Sequence, residues 1–226
     1  MTARKPLTVG PAMADLPEHH PVLLILDIDE VVLQFIDPFV ALLAEHDAGL
    51  DPSGFRLTGS VHSLSTGQAL GADRLKGLMH QLYEEQDRRQ HLVPGVRAAL
   101  DRLARRADIV FLTAMAPQWH ATRRRHLDAV GLPYPMIATE RDKGAVIAQF
   151  YETRQRPCLF IDDLPSNLAG VRRSAPATEL LHLMASPLFR PYLPALPAGV
   201  HTACDWHEAE PMVDAILDRM LAQAAL

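Results

Sequence analysis

Five short apolar runs limit most strongly what this chain can fold into. They are Val22–Ile28, Ile109–Thr113, Pro135–Thr139, Cys158–Ile161 and Leu180–Met184. Each is nearly continuous rather than alternating with polar residues, which is typical of strands that are buried on both faces, as in a parallel sheet. The chain is therefore predicted to contain a parallel sheet that is covered on both sides.

Amphipathic segments separate these runs. Val96, Leu100 and Leu103 recur at helical spacing, and Leu127 and Val130 precede Gly131, a residue that commonly ends a helix. Strands that alternate with helices form βαβ units. The predicted fold class is therefore α/β, a three-layer sandwich with a central parallel, Rossmann-like sheet.

One region breaks this alternation. Between Asp29 and Pro94 the sequence has no buried-strand run, and instead it has a helical pattern, a polar stretch at Phe55–Leu70 and a second helical pattern. We expect residues 34–92 to form a small insertion over one edge of the sheet. Residues 21–33 and 93–226 are then the core domain, and residues 1–20 are expected to be a flexible leader.

Composition narrows the functional class. Of the 226 residues, 48% are hydrophobic and 22% are charged, which is typical of a soluble globular protein. The net charge of −5 argues against nucleic acid or a membrane surface as a partner. No apolar run approaches the roughly 20 residues of a membrane span, and two cysteines are too few for a disulfide framework. We expect a cytoplasmic protein; the sequence does not indicate its oligomeric state.

Two predicted strands run directly into pairs of acidic residues. Asp27 and Asp29 end the first run, and Asp162 and Asp163 follow the run at Cys158–Ile161. Ligands of open α/β sheets bind at the carboxyl ends of the strands. Like charges this close repel each other unless a cation or a shared proton is present, and carboxylate oxygens suit a hard cation such as Mg²⁺. The alternative, that the acids only cap turns, is less favoured for two pairs than for one.

The ordered set of motifs resembles the haloacid dehalogenase-like superfamily of hydrolases, and the resemblance covers residues 22 to about 184. The first motif is Leu24–Glu30, LILDIDE, and the second is an apolar strand that ends in Thr113. Lys143, near the start of a helix, matches the third motif. The fourth is Leu159–Asp163, LFIDD, with Asn167 following it.

This resemblance implies a catalytic role for four side chains. Asp27 would be the nucleophile that forms an aspartyl-phosphate, and Asp29 would be the general acid and then the general base. Thr113, with the backbone N–H of Ala114, would bind a phosphoryl oxygen. Lys143 would neutralise charge on the nucleophile and on the phosphoryl group.

The resemblance also implies Mg²⁺ as the cofactor. Asp162 would bind the ion together with the carboxylate of Asp27 and the backbone carbonyl of Asp29. Asp163 would be a second ligand through water, or it would orient Lys143. The ion would lower the barrier that opposes attack of a carboxylate on a phosphate dianion.

Asp29 bears on which reaction of the superfamily to expect. The resembling dehalogenases lack an acid at this position, so its presence favours phosphoryl transfer. The implied function is a Mg²⁺-dependent phosphatase that cleaves a small phosphomonoester. Two alternatives are a phosphomutase of the same superfamily and a non-catalytic regulatory or binding protein on the same fold.

In the resembling family the segment between the first two motifs is a cap that selects substrates. Arg56 and His62 are the candidate substrate contacts there. The stretch Phe55–Leu70 is predicted to be mobile, because it is rich in glycine, serine and threonine and its apolar residues are sparse. The run Arg123–Arg125 is predicted to be a solvated helix face, with phosphate binding as the alternative.

Overall fold

The computed structural model describes residues 6–224 and contains a seven-stranded sheet. Its order is β1-β6-β5-β2-β7-β8-β9, and every neighbouring pair is parallel except β1 with β6. The strands are β1 (Thr8–Val9), β2 (Leu23–Leu26), β5 (Asp108–Thr113), β6 (Met136–Thr139), β7 (Cys158–Asp162), β8 (Glu179–Leu183) and β9 (His201–Ala203). All five predicted strands are present, within one or two residues of their expected ends.

Both faces of this sheet are covered, as the continuous apolar runs predict. Along β2, Leu24 and Leu26 belong to one hydrophobic cluster, whereas Leu23 and Ile25 belong to another. The first cluster is covered by α4 (Val96–Leu103), α5 (His120–Ala129) and α8 (Trp206–Ala224), and the second by α6 (Lys143–Arg154) and α7 (Pro165–Ser174). The predicted three-layer α/β class is confirmed.

The insertion folds around a hydrophobic cluster of its own. It comprises α1 (Ile36–Glu45), β3 (Ala48–Leu50), β4 (Val61–Ser63), α2 (Ala72–Glu84) and α3 (Gln86–Arg89). Strands β3 and β4 form a separate two-stranded antiparallel sheet. Phe39, Leu42 and Leu82 are fully buried in this cluster, and Met184 and Phe189 join it from the segment that follows β8.

The leader differs from its prediction. Residues 1–5 lie outside the described residues, but residues 6–20 are part of the fold. Strand β1 pairs with β6, and Leu16 is buried against the α6 side of the sheet. A two-residue strand is too short to show a periodicity, so the sequence does not predict this pairing. The flexible leader is therefore wrong for residues 6–20.

The polar stretch Phe55–Leu70 is better anchored than its composition suggests. Val61 is 2% exposed, and Phe55 and Leu57 pack on the cluster of the insertion. The phenyl ring of Phe55 meets that of Phe189 edge to face, with 5.3 Å between the ring centroids. The premise of sparse apolar anchoring is therefore wrong, while the mobility of the stretch stays a prediction.

The C-terminal segment completes the core. Strand β9 extends the sheet, and Trp206, at the start of α8, is 1% exposed and donates its indole N–H to the carbonyl of Val31 at 2.7 Å. Val213 and Leu217 of the same helix are buried in the cluster under α4. No helix among residues 6–224 has an apolar stretch long enough to cross a membrane.

Candidate active site

Three adjacent strands bring the polar motif residues to one edge of the sheet. Strand β2 lies between β5 and β7 and is parallel to both, so the carboxyl ends of the three strands meet. Asp27 follows β2, Thr113 ends β5 and Asp162 ends β7. The backbone N–H of Asp27 donates to the carbonyl of Ile161 at 2.9 Å, so the ladder continues to the first acid.

Lys143 approaches this edge from the first turn of α6. Asp142 caps that helix by accepting a hydrogen bond from the N–H of Ala145 at 3.0 Å. The next residue, Gly144, lies against α7 so closely that a Cβ atom would be 2.5 Å from the carbonyl oxygen of Gly170. A side chain at position 144 would therefore force α6 and α7 apart and move Lys143 away from the strand ends.

The ammonium of Lys143 bridges two carboxylates. Its Nζ lies 2.7 Å from Asp27 Oδ1 and 2.7 Å from Asp162 Oδ2, and all three residues are buried. Burial by itself would lower the pKa of Lys143, but the charges of Asp162 and Asp27 outweigh that effect and raise its pKa. Lys143 is therefore a fixed positive charge beside Asp27.

Uncompensated negative charge still remains at the site. Burial is the main reason that the pKa of Asp27 is raised to about 7; Lys143 opposes the rise, and the charges of Asp162 and Asp29 contribute to it. Burial and the charges of Asp162 and Asp27 also raise the pKa of Asp163 well above its usual value. One ammonium does not neutralise three carboxylates, and this imbalance favours a bound cation.

The donor set suits a hard divalent cation. Asp27, Asp162 and Asp163 each have a carboxylate oxygen within 4.8 Å of the other two, and they are buried. Oxygen-only ligands of this kind are typical of Mg²⁺ sites. Within the described part of the chain, this is the grouping of metal-ligating side chains that the fold assembles.

The two acids of the fourth motif have different surroundings. Asp162 is fully buried, and it accepts hydrogen bonds from Lys143, from Asn167 and from the backbone N–H of Leu164. Asp163 instead lines the open cavity beside Asp27. Lys143 therefore contacts Asp162 rather than Asp163, and of the two roles expected for Asp163 its position beside the cavity favours that of a metal ligand.

Arg123 is the site residue whose position differs most from its prediction. It was expected on a solvated face, but it is fully buried. Its Nη1 donates to Asp29 Oδ1 at 2.9 Å, its Nη2 donates to Gln90 Oε1 at 2.9 Å, and its Nε donates to Gln86. Its guanidinium also lies over the ring of Tyr83, 5.7 Å from the centroid. The predicted solvated face is wrong for this residue, whereas Arg125 is exposed.

A sequence signal for Arg123 did exist. It lies four residues before Leu127, which is buried on the same face of α5. Helical spacing alone therefore assigns Arg123 to the inward face. A buried arginine needs acceptors for its N–H groups, and three of the five donate to Asp29 and to two glutamines near the end of the insertion.

Asp29 is consequently held in one orientation. Its Oδ1 accepts hydrogen bonds from both Arg123 and Gln90, each at 2.9 Å. The phenol of Tyr83 also hydrogen-bonds the Asp29 carboxylate, and burial together with Asp29 raises the pKa of that phenol well above its usual value. The candidate general acid is thus positioned jointly by a core helix and by the insertion.

Glu30 fastens the start of the insertion. It has a left-handed backbone with φ 64°, which is uncommon for a residue with a side chain. Its buried carboxylate accepts hydrogen bonds from the N–H groups of Phe35, Ile36 and Ser186 at 2.7–2.9 Å. The N-cap residue of helix α1 has no side chain that caps the helix. Glu30 instead accepts the hydrogen bonds of the N–H groups of Phe35 and Ile36 at the start of that helix.

A cavity of about 350 Å³ opens above the strand ends. Asp27, Asp29, Thr113, Ala114 and Asp163 line its polar end, together with Ser166 and Asn167. The other side is mostly apolar and comes from the insertion and from the segment after β8. Its residues are Phe35, Ile36, Phe55, Leu57, Met79, Tyr83, Met184 and Phe189.

The two substrate contacts expected from the insertion lie in different places. Arg56 lines the cavity at its exposed rim. His62, on β4, is not among the lining residues; it pairs with Gly49 of β3 and forms a bridge with Ala69. The structure therefore brings Arg56, but not His62, to the cavity.

The raised pKa of Asp27 predicts a pH-dependent stability in metal-free protein. The folded chain binds more protons than the unfolded chain between its ordinary value of 3.8 and about 7. The free energy of unfolding should therefore fall as pH rises through this window, by up to about 1.4 kcal/mol per pH unit from this group. The Asp27→Asn variant lacks this titrating group. Measured by denaturant unfolding in the presence of a chelator, its free energy of unfolding should therefore rise relative to that of the parent protein from pH 4 to 7. A constant difference would contradict the raised pKa.

Comparison with known proteins gives structural matches only. No family model matches the sequence, and the search of curated proteins finds no similar sequence. Among solved structures, a haloacid dehalogenase-like protein of unknown function from Agrobacterium tumefaciens aligns with TM-score 0.59 and 15% identity over 87% of this chain and 98% of its own. A haloacid dehalogenase-like family hydrolase from Xanthomonas campestris aligns with TM-score 0.56 and 15% identity over 90% of this chain and 97% of its own.

A provisionally named β-phosphoglucomutase from Thermotoga maritima is similar to the same degree. It aligns with TM-score 0.56 and 15% identity over 86% of this chain and 99% of its own. The alignments span nearly the full length of these proteins, so they include the insertion as well as the sheet. At this level of identity they establish the architecture, and this chain has the haloacid dehalogenase-like fold.

Proposed function

We propose that this protein is a Mg²⁺-dependent phosphohydrolase that cleaves a phosphomonoester through an aspartyl-phosphate. The observation that carries the proposal is the pairing of Asp27 with Lys143 at the floor of a cavity that Asp29 also lines. A buried carboxylate with a fixed cation beside it, and a second acid two residues further on, meets the needs of covalent phosphoryl transfer.

In the proposed reaction the Asp27 carboxylate attacks phosphorus, and the bond from phosphorus to the leaving oxygen breaks. Asp29 gives its proton to that oxygen, so the alcohol departs neutral. Asp29 then takes a proton from water as the water attacks the aspartyl-phosphate, which releases inorganic phosphate and regenerates Asp27. Thr113, the N–H of Ala114 and Lys143 bind the phosphoryl oxygens throughout.

Asp27, Asp163 and Asp162 would hold Mg²⁺, and the backbone carbonyl of Asp29 is a further predicted ligand. When bound, the ion shares the charge of the phosphoryl group and of the attacking carboxylate. The raised pKa values of Asp27 and Asp163 support this assignment, because a cation would favour their ionised forms.

The phosphomutase alternative uses the same first step but returns the phosphoryl group to the sugar. It requires a cavity that binds a hydroxylated substrate in two orientations, and the mostly apolar lining does not favour this. A non-catalytic role is not favoured either, because the acids and the lysine of the motifs are all present and Lys143 contacts both Asp27 and Asp162.

The metal assignment predicts two effects on turnover. Exhaustive chelation should abolish release of inorganic phosphate, and added Mg²⁺ should restore it. Ca²⁺ should inhibit, because it takes more ligands and can draw both oxygens of Asp27 away from the attack direction. Phosphate release from a panel of phosphomonoesters measures both effects. Undiminished turnover in the chelator would rule out the metal, and isomerised phosphoester without inorganic phosphate would identify a mutase.

A further inference from the structure

We infer that the substrate is a phosphomonoester whose leaving group is apolar and lacks hydroxyls, about the size of a six-membered ring. This inference rests on the proposed function and adds the substrate class. The feature that carries it is the contrast between the two ends of the cavity, one polar at the strand ends and the other mostly apolar.

The direction of attack assigns the leaving group to the apolar end. In-line displacement puts the leaving oxygen on the side of phosphorus opposite the attacking oxygen of Asp27. Asp27 lies at the floor of the cavity, so the leaving group points away from the sheet, towards the insertion. The side chains there include Phe35, Leu57 and Met79 from the insertion and Phe189 from the segment after β8.

Apart from Arg56 at the rim, the polar side chains on this side of the cavity are already engaged. The phenol of Tyr83 hydrogen-bonds Asp29, and the Glu30 carboxylate accepts three backbone hydrogen bonds. Arg56 makes no hydrogen bond or ion pair with any residue in the described part of the chain, but it lies at the exposed rim. A polyol would therefore bury hydroxyls without partners, and each would lower affinity by about tenfold or more.

The apolar side of the cavity is held in place by specific contacts. Phe55 has a left-handed backbone with φ 45°, a conformation unfavourable for an aromatic residue, and its ring is braced edge to face against Phe189. The two rings come from segments more than a hundred residues apart and meet over the strand ends. At about 350 Å³ the cavity is near the lower limit of small-molecule sites, which range from about 300 to 1,000 Å³.

The test compares cyclohexylmethyl phosphate with glucose 6-phosphate in the presence of Mg²⁺. Both are primary alkyl esters with a six-membered ring, so their leaving groups have similar reactivity and differ mainly in the ring hydroxyls. We expect kcat/KM to be at least about 100-fold higher for cyclohexylmethyl phosphate. Equal rates, or a preference for glucose 6-phosphate, would overturn the substrate class and leave the phosphohydrolase intact.

A binding measurement separates this inference from the proposed function. Calorimetry with Asp27→Asn and Mg²⁺ measures the affinity for the same two esters without turnover. If neither ester is hydrolysed by the parent protein but the variant still prefers cyclohexylmethyl phosphate, the phosphohydrolase is overturned and the apolar site stands. If there is neither hydrolysis nor preference, both are overturned.

Met79→Gln tests whether the cavity lining causes the preference. Glutamine has nearly the volume of methionine but brings an amide into the apolar side, so the ratio of the two kcat/KM values should fall by about tenfold. Met212→Gln is the matched control, because Met212 is also half-buried but packs in the core outside the cavity. An unchanged ratio in Met79→Gln, or an equal fall in Met212→Gln, would contradict the assignment.

Discussion

Asp27→Asn is expected to reduce turnover by at least about 10⁴-fold, to the limit of detection. The amide has nearly the shape of the carboxylate but is a far poorer nucleophile, so no aspartyl-phosphate should form. Phosphate release under saturating Mg²⁺ measures the loss. Mass spectrometry of acid-quenched reactions should show one added phosphoryl group on the parent protein and none on the variant.

The control for this variant is a measurement of whether it still folds. Lys143 keeps its ion pair with Asp162 when Asp27 is replaced, so the variant should retain the circular dichroism and the cooperative unfolding of the parent. Asp163→Asn offers a comparison, because it changes an equally buried carboxylate that is not the proposed nucleophile. It should weaken Mg²⁺ binding yet still form the phosphorylated enzyme at high Mg²⁺. A folded Asp27→Asn protein with full activity would overturn the mechanism.

Arg123→Met is expected to have the second largest effect, on both activity and stability. It removes a buried cation, leaves the side-chain oxygens of Gln86 and Gln90 without their donor and deprives Asp29 of its ion pair, which should cost about 3–5 kcal/mol in the free energy of unfolding. Arg123→Lys keeps the charge but cannot reach the three acceptors at once. It should fold more stably than Arg123→Met while kcat falls by about 10²-fold, because a misplaced general acid loses much of its contribution.

The dependence on the leaving group separates positioning from a general loss of structure. An aryl phosphate with an acidic leaving group needs little help from a proton donor, so Arg123→Lys should slow its cleavage much less than that of an alkyl phosphate. Arg125→Met, two residues away on the exposed face of α5, should leave both rates unchanged. Equal losses for the two substrates would mean that Arg123 acts only through the fold.

The central strands of the sheet could be predicted from the sequence, because burial on both faces requires a continuous run of apolar residues. A strand such as β7, covered by helices on both sides, is apolar up to the acid that ends it, and this can be seen in the sequence without knowing its neighbours. The edge strands have no such run. Strand β1 has two residues and β9 has three, so their pairing with β6 and β8 depends on contacts that are distant in sequence.

The chemistry at the strand ends could also be predicted, because each motif lies within a few residues of its strand. Asp27, Thr113 and Asp162 were assigned to strand ends, and Lys143 was assigned to the first turn of a helix. Their mutual distances were not predictable from spacing. Which acid of the Asp162–Asp163 pair binds the lysine depends on how α6 packs against α7, where Gly144 meets Gly170.

The surroundings of the reacting groups depend on the tertiary structure. Arg123 reads as one of three consecutive arginines, yet it is buried because Asp29, Gln86 and Gln90 arrive from other parts of the chain to accept its hydrogen bonds. The apolar side of the cavity likewise joins the insertion to Phe189. Periodicity records whether a residue faces inwards, because that depends on its own helix or strand. Periodicity does not show which distant residue that side chain will contact, because the contact depends on how all the elements pack.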